Sequence, residues 1–303
     1  MINSVKPNLI VSDSRGAWFR ATILFILALI GTVGMWSVVV FIPDIEKEFG
    51  LDRGTSSLLY AFTMIGFGFG TVVIGKVYDK FGIKKPILLA TFVLITSYYF
   101  YSIFPLYWQF LILQFFMGFA ASAFFGPAMA DISNYFNKQR GFALSIVASA
   151  NYVAGATWPL LIGYFLTFID WRAAHFWISI CLFIMIPLIL LLKNASVDES
   201  KSHDMKQRYK DIRLDLSNNQ IQVLLMLAGI CCCVAMAMPQ VHMVALCVDN
   251  GFGLQVGTEI LAVMLYSGMI SRIVFGMISD RIGPVSTLLL LSLIHISEPT
   301  RPE

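Results

Sequence analysis

A chain of 303 residues, 58% hydrophobic and 13% charged, with a mean hydropathy of +0.77, is excluded from the soluble globular classes. The net charge of +3 decides little, because where the charges sit matters more than their sum. Cys181, Cys231, Cys232, Cys233 and Cys247 all lie inside apolar runs and have neither metal-site nor redox-pair spacing.

A helix needs about 20 mostly apolar residues to cross a bilayer. Eight runs meet that length: 20–42, 56–75, 86–104, 107–130, 142–166, 173–192, 220–247 and 256–275, with a ninth beginning near 285. No small-residue cleavage site follows the first run, so it reads as an anchor rather than a signal peptide. Most connections are short. The exception, 193–219, carries Lys193, Lys201, Lys206, Arg208, Lys210 and Arg213 among acids and reads as a solvated linker. The division is therefore a six-helix bundle over 1–192, the linker over 193–219 and a partial second bundle over 220–290.

Basic residues orient these spans. Lys6, Arg15, Arg20, Lys80, Lys84, Lys85, Lys138, Arg140, the linker bases and Arg281 fall on one side. Lys47, Arg53 and Arg172 fall on the other, among Asp44, Glu46, Glu48, Asp52, Asp170, Asp249 and Glu259. The bias places the N-terminus and the 193–219 linker in the cytoplasm and the spans in an inner or plasma membrane. Trp18, Tyr107, Trp108 and Trp171 are expected as interfacial belt residues, and His175 likewise at the outer face. Gly66, Gly68 and Gly70 are expected to let neighbouring backbones approach.

The stretch LSLIHISEPTR over 291–301 breaks the ninth apolar run short of a spanning length and resembles a translated library adapter. Native sequence is expected to end near Leu290, with 291–303 as a non-native tail and the second bundle lacking most of helix 9 and helices 10–12. A chain so cut is expected not to transport by itself.

Between the second and third runs lies GKVYDKFGIKK (75–85), and between the eighth and ninth lies GMISDRIG (276–283). Gly75, Asp79, Lys80, Gly82 and Lys84 in one copy, and Gly276, Asp280, Arg281 and Gly283 in the other, mark two related halves. Gly-x-x-x-Asp-basic-x-Gly at a helix–helix turn resembles the signature loop of the major facilitator superfamily of secondary transporters. The resemblance covers nearly all of 18–290. It implies an all-α polytopic membrane protein with the first six-helix bundle complete, plus helices 7 and 8 and the start of 9. It also implies alternating access of two bundles about a central site, with Asp79 facing a helix N-terminus of the other half as a latch. Ile83 stands where a base is common in that loop.

A narrower resemblance rests on two segments. Arg272, Gly276 and Asp280 at four-residue spacing look like the eighth helix of the monocarboxylate transporter branch, where the arginine binds the substrate carboxylate. The branch usually has an aspartate at the position of Gly268, which shares the transported proton. YFNKQRGFA (135–143) resembles the branch's second signature and the oxalate/formate antiporters, although two usual glycines are here Ser145 and Asn151. The implied substrate is a small organic anion, with a proton as the candidate coupling ion.

In lipid each polar side chain needs a reason. Arg272 either offers a bidentate fork to a carboxylate or snorkels to the interface near Asp280. Asn151, beside Tyr152, either contacts solute or bonds a neighbouring helix. Gln114 occupies a place where many proton-coupled relatives carry arginine, and can hydrogen-bond a substrate. Pro239, Gln240 and His242 interrupt the seventh run, where discontinuous helices build sites; His242 is either a proton relay or a packed neutral ring. Gly155, Pro159 and Gly163 are expected on one face of the fifth span. Asp131 is expected to pair with Lys80 or Lys84 as a gating contact. No nucleophile–base pair, P-loop or metal constellation is present, so no enzyme, cofactor, metal or nucleic-acid partner is expected. The expected partners are a small solute and the bilayer, and the expected state is monomeric. A transporter-like sensor, or an exporter of another substrate class, is the alternative function.

Overall fold

The computed structural model describes residues 13–192 and 217–296. Most of the 193–219 linker, the tail beyond 296 and the side chains of Cys231, Cys232 and Cys233 lie outside the described residues. The described residues form twelve α-helices joined by short turns and two 3-10 segments, with no strand among them.

The first span is longer than 20–42. It comprises α1 (Arg15–Gly31) and α2 (Val33–Phe49), 35 residues in all, interrupted only at Thr32. The Thr32 hydroxyl donates back to the Ala28 carbonyl at 2.7 Å and the helix restarts at once. The following helix α3 (Arg53–Phe81) starts on Asp52, whose carboxylate accepts from the amides of Gly54 and Thr55. Its C-terminus closes at Gly82. Next come α4 (Lys84–Ile103) and α5 (Tyr107–Ala121), a 3-10 turn over Ser122–Phe124, and α6 (Gly126–Ser133). Helix α7 (Arg140–Phe165) runs through Pro159, and α8 (Trp171–Cys181) leads through a second 3-10 turn into α9 (Met185–Leu191).

After the linker, Ser217 and Gln220 form a reciprocal capping box that starts α10 (Asn218–Asp249). Its 32 residues reach about 48 Å, enough to cross a bilayer. The break expected around Pro239 is absent, because the helix continues through the proline. The last two helices are α11 (Leu254–Ile282) and α12 (Pro284–Ile296). Besides α10, seven helical segments among the described residues are long and apolar enough to span a membrane. The protein is a polytopic helical membrane protein.

Lipid is as apolar as leucine, so these helices associate by close packing and hydrogen bonding rather than by expulsion of water. Phe92 at 65% and Leu190 at 69% exposure are therefore ordinary bilayer-facing surface. The inner faces show the close packing. A Cβ on Gly66 of α3 would collide with the Phe115 backbone, and one on Gly118 of α5 with the Thr63 backbone, so α3 and α5 meet backbone to backbone. Gly68, expected to share that role, faces open space.

Polar groups inside the first six spans pair with one another. Ser37 and Tyr98 share a hydrogen bond of 2.6 Å, and Gln114 accepts from the Thr63 hydroxyl at 2.9 Å and donates to Tyr101 at 3.4 Å. His175 is not interfacial. It is 1% exposed, stacked on Tyr101 at 4.3 Å and tilted against Phe41 at 4.1 Å, and its Nδ1 bonds the Trp171 carbonyl. A position one turn into α8 faces α4 rather than the headgroups, and the flat ring fills that contact. Trp171 is likewise buried, and its indole N–H donates to Glu48 at 2.8 Å. Trp108, at 57% exposure, keeps the expected outward position.

Candidate functional site

The most extensive helix–helix contact joins the first six spans to the rest through α7 and α11, which run antiparallel. Starting at the end that carries the basic loops, Gly141 and Phe142 meet Asp280, Ser145 meets Gly276, Ala148 meets Arg272, and Tyr152 meets Gly268. The α7 positions advance by four, three and four residues and the α11 positions retreat by four each. The advance from Gly141 to Tyr152 makes about three whole turns and keeps the α7 row on one face. The four-residue steps of α11 drift by about 40° each, so its row winds slowly around the helix as it follows α7. Three members of these rows, Gly141, Gly268 and Gly276, are glycines, which is what allows the backbones to approach.

Both signature loops share one backbone device. Gly82 takes φ 72° and its N–H bonds the Tyr78 carbonyl at 2.7 Å; Gly283 takes φ 87° and bonds the Ser279 carbonyl at 3.0 Å. Only glycine adopts these turns without strain. The environments differ. A Cβ on Gly75 would meet nothing within 4 Å, whereas one on Gly276 would run into Ser145. Asp280 accepts from the Gly141 N–H at 2.7 Å and the Phe142 N–H at 2.8 Å, so a carboxylate from α11 caps the N-terminus of α7. The N–H groups of a first helical turn have no intrahelical partner and carry the positive end of the dipole. Asp79 lies exposed at the corresponding place in the first copy, as does Lys80; Arg281 of the second copy is exposed as well. Lys80 and Lys85 sit over the Phe81 ring at 5.4 and 4.3 Å.

Asp131 does not pair with Lys80 or Lys84. Its two oxygens accept from Arg20 Nε at 2.6 Å and Nη2 at 2.9 Å, and both side chains are almost wholly buried. Helix α6 turns Asp131 inward toward α1, while the lysines remain at the outer rim of their loop. The guanidinium also lies 4.9 Å from the Tyr135 ring centre.

Farther along the seam, Arg272 donates from Nη1 to the Ala148 carbonyl at 3.1 Å and lies 4.3 Å over the Tyr152 ring. It forms no ion pair among the described residues, Asp280 included. Tyr152 donates its hydroxyl to Met236 Sδ of α10 at 3.3 Å, which brings a third helix to the same place. Asn151, next in sequence, accepts from the Trp36 indole N–H at 3.0 Å. Gln240, one turn beyond Met236, is 8% exposed, and His242 is exposed. The structure thus gathers Arg272, Tyr152 and Asn151 around one level of α7. It places Gln114 elsewhere, in the interior hydrogen bonds with Thr63 and Tyr101. Gly155 and Gly163 do not act on one neighbour: Gly155 faces Trp36 of α2 and Gly163 faces Thr258 of α11. Four-residue steps drift by about 40° each around a 3.6-residue helix, so the two point apart.

At the opposite end, Arg53 joins the two parts again. Its Nη2 donates to both Asp249 oxygens at 2.8 and 3.1 Å, and its Nε lies 3.3 Å from Glu46, which also accepts from Ser56. The described buried residues of α10, from Gln240 to Cys247, all lie in its half toward this end. The sequence places Arg53 and Asp249 on one side of the membrane but does not pair them, because residues 196 apart with ordinary surface character carry no pairing signal.

A cavity of about 580 Å³ lies between α7 and α8, lined by apolar residues such as Trp158, Phe165, Trp177 and Cys181. It offers no charged group and lies apart from Arg272. Among the described residues no group of three or more His, Cys, Asp or Glu could hold a metal ion.

Comparison with known proteins agrees with this architecture. The chain is 26% identical over 231 residues to MFS-type transporter pynF of Aspergillus niger, covering 74% of this chain and 51% of that protein. It is 24% identical over 262 residues to the Agnestins efflux protein AgnL12 of Paecilomyces divaricatus, covering 84% and 58% respectively. It is 23% identical over 172 residues to the inner membrane transport protein YnfM of Escherichia coli, covering 56% and 41%. The chain spans between half and three-fifths of the length of the first two relatives. Residues 24–296 match the Major Facilitator Superfamily, and with its paired signature loops and antiparallel α7–α11 seam the chain belongs to that family.

Proposed function

We propose that the protein is a secondary transporter of a small organic anion, a monocarboxylate in the simplest case, working by alternating access, with Arg272 as the carboxylate anchor. One observation carries this reading: Arg272 is a cation at membrane depth, held by the Tyr152 ring and the Ala148 carbonyl, with no carboxylate partner among the described residues. A guanidinium fixed through one nitrogen keeps its other donors for a bidentate ligand. Taking a charge into lipid without compensation is costly, and an anionic solute supplies the compensation.

In this reading Asn151 and Tyr152 line the same level, Gln240 faces the solute path from α10, and His242, two residues on, lies on another face of that helix. His242 is the candidate carrier of a coupling proton. Gln114 acts through its bonds to Thr63 and Tyr101 rather than on the solute directly. The end with Lys80, Lys84, Lys138, Arg140 and Arg281 faces the cytoplasm by the excess of basic residues there, in an inner or plasma membrane, and the protein works as a monomer. Asp280 of α11, capping α7, is the inter-bundle latch, and Asp79 has the corresponding role toward the other half.

The test is uptake of labelled lactate, pyruvate and benzoate into proteoliposomes containing the full-length protein, with the wild type beside Arg272→Lys. Lysine keeps the charge and loses the fork and the stack. Affinity is expected to fall by about tenfold or more, the loss of roughly 1.4 kcal/mol. Unchanged flux and affinity in Arg272→Lys removes the anchor role, and no flux of any organic anion removes the substrate class. A second reading, export of another substrate class, is supported by the relative named as an agnestins efflux protein. Efflux of a compound without a carboxylate, with no response to Arg272→Lys, favours it.

A further inference from the structure

The turn that Asp280 caps is gripped from its other side by the start of the chain. Asp13 holds a left-handed backbone, φ 55°, and its N–H donates to the Tyr135 carbonyl at 3.0 Å. In that pose its carboxylate accepts from the amides of Asn137, Lys138 and Gln139 at 3.3–3.4 Å. The amides of Gly141 and Phe142, beyond Arg140, go to Asp280. Two carboxylates from separate parts of the chain therefore divide one run of backbone N–H groups between them. The same N-terminal segment holds both flanks of the turn. Trp18 packs on Phe136 at 4.8 Å and on Phe142 at 5.7 Å, and Arg20 pairs with Asp131 just upstream.

An αL aspartate is an uncommon conformation that persists only when its surroundings hold it. Here that pose gathers three amides immediately before α7 and fixes the direction in which the helix begins. The Asp280 bonds depend on that direction, since both are short and both come from the first turn.

We propose that Asp13 is a positioning residue for the latch: by holding the 137–139 turn it aims the Gly141 and Phe142 amides at Asp280, so the N-terminal segment sets how readily the two bundles part at this end. The inference rests on the latch reading of Asp280 and is independent of the substrate. The opposing account is that Asp13 caps its own turn and nothing more.

Residue-resolved amide hydrogen exchange on the whole chain in lipid nanodiscs separates the two, using Asp13→Ala, Asp13→Asn, Asp13→Glu and Asp280→Ala. In Asp13→Ala, exchange at Gly141 and Phe142 is expected to rise about fivefold along with that at 137–139, the loss of roughly one cap. Asp13→Asn is expected to give a smaller rise at both groups of amides, and Asp13→Glu to recover part of the protection. Asp280→Ala is expected to release Gly141 and Phe142 and leave 137–139 protected. Release confined to 137–139 in Asp13→Ala overturns the positioning role. If Asp280→Ala leaves Gly141 and Phe142 protected, the latch reading falls first and this inference with it. Unchanged protection of the α3–α5 amides shows that each variant is folded.

Discussion

Gly268 of α11 and the ring of Tyr152 of α7 occupy one volume: a Cβ on Gly268 would lie 2.6 Å from Cε1 of Tyr152. The ring seated there is the one over which Arg272, one turn along α11, is stacked. Gly268→Ala is therefore expected to displace Tyr152 and loosen Arg272, at about 1–3 kcal/mol for an overpacked contact. Thermal unfolding of the purified variant checks the stability, and anion binding checks the displacement of Arg272.

Tyr152 itself separates two contributions. Tyr152→Phe keeps the π face and loses only the contact with Met236, so anion affinity is expected to change less than about threefold. Tyr152→Leu removes the face beneath the guanidinium, worth about 0.5–2 kcal/mol, and affinity is expected to fall by about 2- to 30-fold. Equilibrium binding of a labelled monocarboxylate to both variants is the measurement. An equal loss in the two assigns the effect to the hydroxyl instead.

The Arg20–Asp131 pair is buried, with side-chain exposures of 5% and 7%, so removing Asp131 takes the carboxylate away from a buried guanidinium. Asp131→Ala is expected to destabilise by about 3–5 kcal/mol. The double variant Arg20→Met with Asp131→Leu is expected to regain much of that loss, because both desolvation penalties vanish together. Chemical unfolding of the three proteins in one detergent provides the comparison.

Arg53 and Asp249 form the opposite case. Asp249 is 57% exposed in its side chain, so water and salt screen the pair. A double-mutant cycle with Arg53→Ala and Asp249→Ala is expected to give a coupling of about 0.2–1 kcal/mol that shrinks as ionic strength rises. A coupling insensitive to salt would contradict the exposed geometry.

Span number, the polar interruptions and the paired loops were all readable along the chain, because a bilayer requires about 20 apolar residues per crossing and tolerates polar ones only for a reason. The glycines at 82 and 283 were legible for the same local cause, a turn that needs positive φ. What could not be read was which polar group meets which. Asp131 found Arg20 and not a neighbouring lysine, and His175 turned into the ring stack beside Tyr101. Arg53 met Asp249 across 196 residues, and Asp13 took up the amides ahead of α7. Helix periodicity says which side chains share a face, but the rotation of that face toward a given neighbour depends on how all the helices pack together. Sequence alone therefore determined a polytopic chain with two related halves. The tertiary structure decided that the second loop caps α7 and that Arg272 rests on Tyr152, because both contacts exist only where α7 and α11 close on each other.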